Sequence, residues 1–365
     1  MTKDALNSGE GKMTYDFQSY LRLVINSGGR AQYDRYFANE YDRIDNTNTS
    51  GTTPRHRVTL HIVDALPALD EQDAIVQKRR FKKLFTFEFA LVGLGTDDVH
   101  IYFKDHPVSR LYVTAVGVFL QAQVLEPAMY LSFLQQDIFF MHSAGVAKDG
   151  KAYLFPAYGG TGKTTTSMGL LTKGYGFLGD DLIIVDPKDG MAFPYPRPLH
   201  VFTYNIRNLQ GAQVPLRLTS VVYFKNVLRF FLETFLRTEF LISTRVHADE
   251  ILKDFEFSAP ARLHNIIFLK KEGAHENVVF KTEADFRTYA KIIAESADLN
   301  ESLFDLINNE GRISEIREKE ISVAAAMLRR ANAFSFLNTR AIDLAKVEKF
   351  LESTTPGVPE MDGAV

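Results

Sequence analysis

The chain has 365 residues, of which 45% are hydrophobic and 24% are charged, a balance that can build a buried core. Its net charge of −3 lacks the basic excess typical of nucleic-acid-binding proteins. Cysteine is absent, which excludes disulfides, thiolate metal sites and cysteine nucleophiles. The N-terminal residues lack the apolar core of a secretory signal, and we find no apolar run long enough to span a membrane. We therefore expect a cytoplasmic protein.

Residues 1–135 predict a smaller, β-rich domain of α+β character. A helix is predicted around Asp16–Ile25, and the segment 45–57, rich in Asn, Thr and Gly, predicts an exposed loop. "VTLHIVDAL" predicts a strand, and "LFTFEFALVGLGTDDVHIYFK" predicts a hairpin around a Gly-Thr-Asp-Asp turn. A helical stretch over Val118–Gln136 ends this domain.

Residues 136–350 predict a second domain of α/β class. A strand over Ile138–Val146, a Lys-Asp-Gly turn and a strand over Lys151–Ala157 lead into a glycine-rich loop. A helix over Gly162–Lys173 follows, with Gly174 suited to its C-cap. "GFLGDD" then predicts a strand that runs parallel to "KAYLFPA", so that both strands end at the same edge of the sheet.

The distal part of the chain is mostly helical. A helix over Val221–Ile242 has polar residues every fourth position, and it is either a core helix or a surface for dimerisation or substrate docking. Strands are predicted within "ISTRVHADEIL", "ARLHNIIFLKK" and "AFSFLN", and a final helix within "AIDLAKVEKFLES". The helical stretch of about 286–330 resembles an addition to the domain, and we expect 351–365 to be a flexible tail.

The glycine-rich loop fits the phosphate-binding pattern G-x-x-x-x-G-K-[ST], except that Ala157 takes the place of the first glycine. A methyl group is tolerable there if φ is negative. Backbone N–H groups and the start of the following helix would hold phosphate oxygens, and Lys163 would add a positive charge. Thr164 suits a Mg²⁺ ligand. The predicted nucleotide-binding residues are Gly159, Gly160, Thr161, Gly162, Lys163, Thr164 and Thr165.

Two neighbouring segments add chemistry to this loop. Asp180 and Asp181 follow the loop after one short helix, so one carboxylate can hold Mg²⁺ while the other accepts a proton from an attacking hydroxyl. The plainer alternative is an Asp-rich turn. His142 precedes the loop by one strand and one turn, and in a hairpin it would approach the loop from the neighbouring strand. A lone histidine on a strand is also compatible with a structural role.

Taken together, the segment Ile138–Asp186 resembles the catalytic domain of HPr kinase/phosphorylase and its HPr-kinase-like relatives. The order of histidine, phosphate loop, short helix and acidic pair is that of the family, within the phosphoenolpyruvate-carboxykinase-like P-loop superfamily. The resemblance implies a P-loop kinase core, ATP and Mg²⁺ as cofactors, and His142 and Lys163 as active-site residues. It implies Asp180 as the general base and Asp181 as the metal-side carboxylate, with the reverse assignment left open.

The sequence therefore predicts a kinase that transfers the γ-phosphate of ATP to a hydroxyl of a peptide, a protein or a small molecule. Arg197 and Arg245 are candidates for contacting the phosphate or an acidic substrate, or they are surface residues in salt bridges. Ala157 and Gly159 depart from the pattern of the bifunctional enzymes, which leaves phosphorylase activity and the HPr protein as substrate open. The alternatives are a nucleotide-binding regulatory module with weak hydrolysis and a carboxykinase. A GTPase is disfavoured because the chain has no Asn-Lys dipeptide. Relatives of this type are often homo-oligomers.

Overall fold

The chain folds into a mixed α/β protein with two large mixed sheets and several helices. It forms two compact units, Met1–Gln136 with Asp298–Glu318, and Asp137–Ala297 with Lys319–Val365. The predicted helical addition at 286–330 is thus divided between the two units. The computed structural model describes residues 11–45, 51–70, 74–81, 85–110, 113–201, 203, 216–217, 219–225, 227, 244–251, 256–273, 276–296, 299–307, 309–339, 347–348 and 350–351.

The first unit is built on a six-stranded sheet with the order β1-β2-β3-β6-β5-β4. Helix α1 (Ala31–Asp45) contacts β1, and α2 (Val113–Leu120) is followed by one π-helical turn and α3 (Glu126–Gln135). The helical stretch predicted over Val118–Gln136 is therefore confirmed, although it begins five residues earlier. The strands are β1 (Lys12–Phe17), β2 (Leu21–Asn26), β3 (His56–Val63), β4 (Ala74–Phe81), β5 (Phe85–Val92) and β6 (Asp98–Lys104).

The helix predicted around Asp16–Ile25 is wrong, because this segment forms the antiparallel hairpin β1–β2. Leu21, Leu23 and Ile25 are fully buried, and they recur at the two-residue spacing of a strand that covers a core with one face. The hairpin predicted around Gly-Thr-Asp-Asp is confirmed, with β5 and β6 antiparallel. The strand predicted in "VTLHIVDAL" is confirmed as β3.

The second unit is built on an eight-stranded sheet with the order β11-β10-β7-β8-β14-β16-β15, in which β9 also pairs with β7. Strands β8, β14 and β16 are mutually parallel, whereas β7 is antiparallel to β8, β9 and β10. The strands are β7 (Phe139–Lys148), β8 (Lys151–Pro156), β9 (Gly176–Gly179), β10 (Leu182–Asp186), β11 (Met191–Phe193), β12 (Leu199–Val201), β13 (Thr244–Val246), β14 (Ala261–Lys270), β15 (Glu276–Val278) and β16 (Ala333–Asn338).

The strand predicted in "GFLGDD" forms as β9, and it runs in the same direction as β8, but the two strands are not neighbours. Strand β7 lies between them, because its ten residues pair with β8 along one side and with β9 and β10 along the other. The histidine strand and "KAYLFPA" form the hairpin β7–β8, which is the condition under which His142 was expected to approach the loop. The strand β7 thus lies between the segment that leads into the glycine-rich loop and the strands that flank Asp180 and Asp181.

The remaining helices follow β8 in the chain. They are α4 (Lys163–Leu171), α5 (Ala248–Ile251), α6 (Glu283–Glu295), α7 (Leu299–Ile307) and α8 (Glu310–Arg330). Helix α6 begins with a capping box between Thr282 and Asp285. Residues 219–225 are helical, but most of the predicted helix Val221–Ile242 lies outside the described residues, as do positions 340–346 and the tail from 352 onward. Across the described residues, every helix is too short or too polar to traverse a lipid bilayer.

Gly179 ends β9 immediately before the acidic pair, and the structure leaves no room for a side chain there. A Cβ atom built on Gly179 would lie 2.7 Å from the carbonyl oxygen of Leu182 and 3.0 Å from that of Tyr195. The Cδ1 atom of Ile183 would lie 2.8 Å away as well. Because the two carbonyl oxygens belong to the backbone, a larger residue would displace the turn that carries Asp180 and Asp181. Gly159 is the opposite case, because its Cβ would meet nothing within 4 Å.

We predict that Gly179→Ala lowers the free energy of unfolding by about 1–3 kcal/mol, because the added methyl group overpacks a turn bounded by backbone. Urea unfolding followed by circular dichroism measures this loss. Gly159→Ala is the matched control, and we expect it to change stability by less than about 0.5 kcal/mol. Equal effects of the two substitutions would contradict the packing seen around Gly179.

Candidate functional site

Three segments meet at one edge of the second sheet, where the parallel strands β8, β14 and β16 have their carboxyl ends. The glycine loop, residues 157–164, follows β8, while Lys271 follows β14 and Thr339 follows β16. The carboxyl ends of parallel strands are the usual place for ligand sites in α/β sheets. The Thr339 hydroxyl donates to the carbonyl oxygen of Thr161 at 2.7 Å, which ties the loop to its neighbour.

The glycine loop has the backbone conformation that its glycines permit. Gly160 has φ of +72° and Gly162 has φ of +106°, a region that residues with a side chain rarely adopt. Gly162 is the N-cap of α4, so the loop leads directly into the positive end of a helix dipole. The Thr161 hydroxyl donates to the carbonyl oxygen of Tyr158 at 2.8 Å and stabilises the bend.

Ala157 fits the position at which the pattern has glycine. Its φ is not positive, its side chain is fully buried, and it forms an isolated β-bridge with Leu269 of β14. The methyl group therefore packs into the core where the chain leaves β8. The missing glycine places no strain on the loop.

Lys163 connects the loop to the histidine strand. Its ammonium lies 2.9 Å from Nε2 of His142 and donates to the carbonyl oxygen of Ala157, also at 2.9 Å. Lys163 is the first residue of α4, which places its positive charge at the helix N-terminus. The ammonium therefore adds its charge to the positive end of the helix dipole at the loop.

His142 is held by contacts at both ring nitrogens. Its Nδ1 lies 3.0 Å from the carbonyl oxygen of Ser296, which can only accept, so Nδ1 carries a proton. In the neutral ring Nε2 is then an acceptor for Lys163, and in the charged ring it donates to Asp181, whose Oδ1 lies 3.2 Å away. The register of β7 against β10, which pairs His142 with Leu182, brings the imidazole beside the acidic pair.

Asp180 faces helix α4. Its Oδ2 accepts a hydrogen bond from the Thr164 hydroxyl at 2.7 Å, and its Oδ1 accepts one from the Ser167 hydroxyl at 2.9 Å. Burial disfavours the ionised form and raises the pKa of Asp180 to about 6, although the two hydroxyl hydrogen bonds oppose this shift. The carboxylate is fixed in position and poorly solvated.

Asp181 faces the opposite way, toward His142 and Arg197. Its side chain is 48% exposed, and its Oδ2 lies 3.8 Å from Nη1 of Arg197. Partial burial works against ionisation of Asp181, but the hydrogen bond from His142 and the charges of His142, Arg197 and Lys163 outweigh it and hold the pKa well below its usual range. Adjacent aspartates thus have opposite environments.

The structure brings together His142, Lys163, Thr164, Asp180, Asp181 and Arg197 from the residues that the sequence singled out. Thr165 lies in the first turn of α4. Arg245 lies in β13, opposite His200 of β12, in a separate two-stranded sheet.

Three further residues belong to this site and were missed in the sequence. Ser167 follows Thr164 by three residues on α4, a spacing that places both hydroxyls on one face of the helix. Lys271 lies close to the loop, since a Cβ atom on Gly160 would be 3.8 Å from its Nζ. Ser296 and Lys271 are distant from the loop in sequence, and only the order of strands and helices brings them near.

The described residues contain no group of three or more His, Asp or Glu side chains that could hold a metal ion unaided. A Mg²⁺ ion at this site would need oxygen ligands from substrate phosphate and water in addition to protein groups, which is its common mode of binding. The Thr164 hydroxyl and the Asp180 carboxylate are oxygen ligands of the type that fits such an ion.

We predict that Asp180→Asn stabilises the protein more at pH 8 than at pH 5, when both are measured in metal-free buffer. The folded-state pKa of Asp180 is raised, so its favourable contribution is present at low pH and is lost as the pH rises through about 6. The asparagine variant avoids a poorly solvated charge at pH 8. Urea unfolding of both proteins at the two pH values measures the difference, and a gain that is the same at pH 5 and pH 8 would contradict the raised pKa.

We compared the chain with models of protein families and with curated proteins. No model of a protein family matches it, and no curated protein matches it. The function has to be inferred from the side chains of the site and their geometry.

Proposed function

We propose that this protein is an ATP-dependent kinase that transfers the γ-phosphate to a hydroxyl group. The observation that carries the proposal is the convergence on one helix N-terminus of Lys163, the Thr164–Asp180 hydrogen bond and the His142–Asp181 pair. Phosphoryl transfer requires positioned positive charge, a metal-side carboxylate and a proton acceptor, and these groups supply all three.

The glycine loop would hold the phosphates of ATP. The positive-φ glycines keep its backbone free of side chains, and the α4 N-terminus and Lys163 supply positive charge. Without nucleotide, the Lys163 ammonium forms hydrogen bonds with His142 and with the carbonyl oxygen of Ala157. When ATP binds, it would exchange these partners for phosphate oxygens. Lys271 is a second cation at the loop and is suited to the charge that develops on the transferred group.

Thr164 and Asp180 would hold Mg²⁺. The Asp180 carboxylate bonds the Thr164 hydroxyl at 2.7 Å, so it is positioned to bind the same ion directly or through water. When bound, Mg²⁺ would neutralise the charge of the β- and γ-phosphate oxygens. This assignment reverses the roles that the resemblance implied, with Asp180 on the metal side.

Asp181 would be the general base. Its side chain is half-exposed and so is accessible to an acceptor, whereas the Asp180 carboxylate faces α4 and bonds the Thr164 and Ser167 hydroxyls. When Lys163 turns to phosphate, Asp181 loses one of the cations that depress its pKa and becomes more basic. His142 orients the carboxylate. The acceptor oxygen bonds the γ-phosphorus, the bond to the β–γ bridging oxygen breaks, ADP leaves, and the hydroxyl proton passes to Asp181.

The same groups support the proposal that the chain is an HPr-kinase-like protein of the P-loop type. The strand with His142, the loop after β8, the short helix α4 and the acidic pair follow each other in the order that this family has. The acceptor would be a peptide, a protein or a small molecule that bears a hydroxyl group.

We predict that the purified protein transfers label from γ-labelled ATP to a hydroxyl acceptor in the presence of Mg²⁺. Lys163→Ala should lower this transfer by roughly 10²–10³-fold, because it removes a charge that stabilises the transition state. Lys151→Ala, at the opposite end of β8, is the matched control and should retain the activity. Nucleotide binding without transfer to any of a panel of serine peptides, proteins and small alcohols would instead favour a regulatory module with weak hydrolysis.

We predict a different kinetic effect for each aspartate of the pair. Asp181→Asn should lower kcat by roughly 10²–10⁴-fold at saturating Mg²⁺, because the proton acceptor is lost. Asp180→Asn should chiefly raise the Mg²⁺ concentration needed for half-maximal activity. Titration of Mg²⁺ with each variant separates the two effects, and the reverse pattern would restore Asp180 as the base.

A further inference from the structure

The first unit has a cavity of about 310 Å³ on the face of its sheet formed by β1, β2, β3 and β6. This volume lies at the lower end of the roughly 300–1,000 Å³ that is typical of small-molecule sites. The cavity is lined by Lys12, Thr14, Arg22, Val24, Asn26, Arg57, Thr59, His61 and His100. We call it the basic trough.

The register of the strands explains the shape of the basic trough. Its floor is a row of short side chains that lie side by side on neighbouring strands, Thr14, Val24 and Thr59. Val24 and Thr59 are almost fully buried, at 5% and 6% exposure. On either side of this floor, the rows two residues away along the strands carry long side chains, because alternate residues share one face of a sheet.

One wall is formed by Lys12, Asn26 and His61, which are aligned across β1, β2 and β3. The His61 ring stacks on Tyr102 at 4.8 Å between centroids, and its Nε2 lies 3.2 Å from Nδ1 of His100. These contacts fix the ring at the end of the wall. The wall therefore presents an ammonium, an amide and an imidazole to the trough.

The other wall is formed by Arg22 and Arg57, aligned across β2 and β3. Arg22 forms a two-point salt bridge with Asp16, at 2.7 and 2.8 Å. No side-chain ion pair is seen for Lys12 or Arg57 within the described part of the unit. Asp98 lies beside Arg57 in register and 3.7 Å from His100, at the outer end of this row. No carboxylate lines the trough itself, so its charge is positive.

We propose that the basic trough binds a small molecule that carries a phosphate group. Lys12 on β1 and Arg57 on β3 lie at diagonally opposite corners of a floor with two threonine hydroxyls, which can donate to phosphate oxygens bound between the two cations. A compact phosphate monoester matches the cavity volume better than a nucleoside triphosphate does. The site is separate from the glycine loop, which belongs to the other unit.

The state of His61 agrees with such a ligand. Burial, followed by the nearby His100 and Lys12, lowers the pKa of His61. A bound phosphate would offset the repulsion from Lys12 and raise this pKa, so His61 reports on occupancy. The charged and titratable groups that line the trough with it are Lys12, Arg22, Arg57 and His100, and Tyr102 stacks on its ring. Asp16 and Asp98 lie in the row of Arg22 and Arg57, outside this lining.

The test is an NMR titration of the full chain, labelled with ¹⁵N-histidine, with inorganic phosphate at constant ionic strength. We expect saturable shifts of the His61 and His100 signals. Lys12→Ala combined with Arg57→Ala should weaken this binding at least roughly tenfold, because two charge-assisted contacts are lost. Phosphate that binds at the glycine loop would shift the His142 signal instead, so binding at the two sites can be distinguished.

Lys78→Ala combined with Arg35→Ala is the control, since it removes two cations outside the trough and should change the affinity less than twofold. If the trough double variant does not fold, Arg57→Gln alone should still weaken binding. Chloride shifting the same signals equally, no saturable shift, or an equal loss in the control pair would overturn the proposal. A single-stranded oligonucleotide that binds through Lys12 and Arg57 more tightly than phosphate monoesters do would overturn it in favour of a polymer site.

Discussion

The candidate site depends on the pairing of β7 along both of its sides. On one side β7 forms a hairpin with β8, which leads into the glycine loop, and on the other it pairs with β9 and β10, which flank the acidic pair. His142 lies on this shared strand, between the two segments. A single register therefore sets the distances from His142 to Lys163 and to Asp181. Gly179 adds a second constraint, because the turn before the acidic pair has no space for a side chain at this position.

The electrostatic surroundings of Asp180 and Asp181 differ. Burial disfavours ionisation of both carboxyl groups, but Asp180 bonds two hydroxyls whereas Asp181 lies among cations, so their pKa values move in opposite directions. Titratable groups whose pKa values are strongly shifted by burial and by specific charge partners cluster at functional sites. The Lys163 ammonium lowers the pKa of both aspartates. In the proposed function it would move away from His142 to bind an incoming phosphate.

Local sequence predicted much of this arrangement. The glycine pattern predicted the loop. Local residue patterns predicted the strands now seen as β7 and β8, the short helix and the strand before the acidic pair. The position of β7 between β8 and β9 could not be predicted, because strand order depends on long-range pairing that a local pattern does not encode. The same reason hid Lys271 and the Ser296 carbonyl group. The helix predicted at Asp16–Ile25 was wrong because the alternation of buried residues there, with Leu21, Leu23 and Ile25 on one face, is the pattern of a strand and not of a helix.

The different surroundings of the two aspartates could not be predicted from the sequence either, because they depend on which side of the turn each carboxylate faces. Thr164 and Ser167 on one side and His142 on the other make that distinction in three dimensions. Ala157, by contrast, is explained by local burial, since its methyl group packs into the core behind the loop.

A crystal structure of the chain with a non-hydrolysable ATP analogue and Mg²⁺ tests the central claim most directly. The account predicts that the β- and γ-phosphates lie in the glycine loop, and that Lys163 Nζ has left His142 and Ala157 to bond them. An analogue that binds elsewhere, or a Lys163 that keeps both present contacts while the nucleotide is bound, would contradict it.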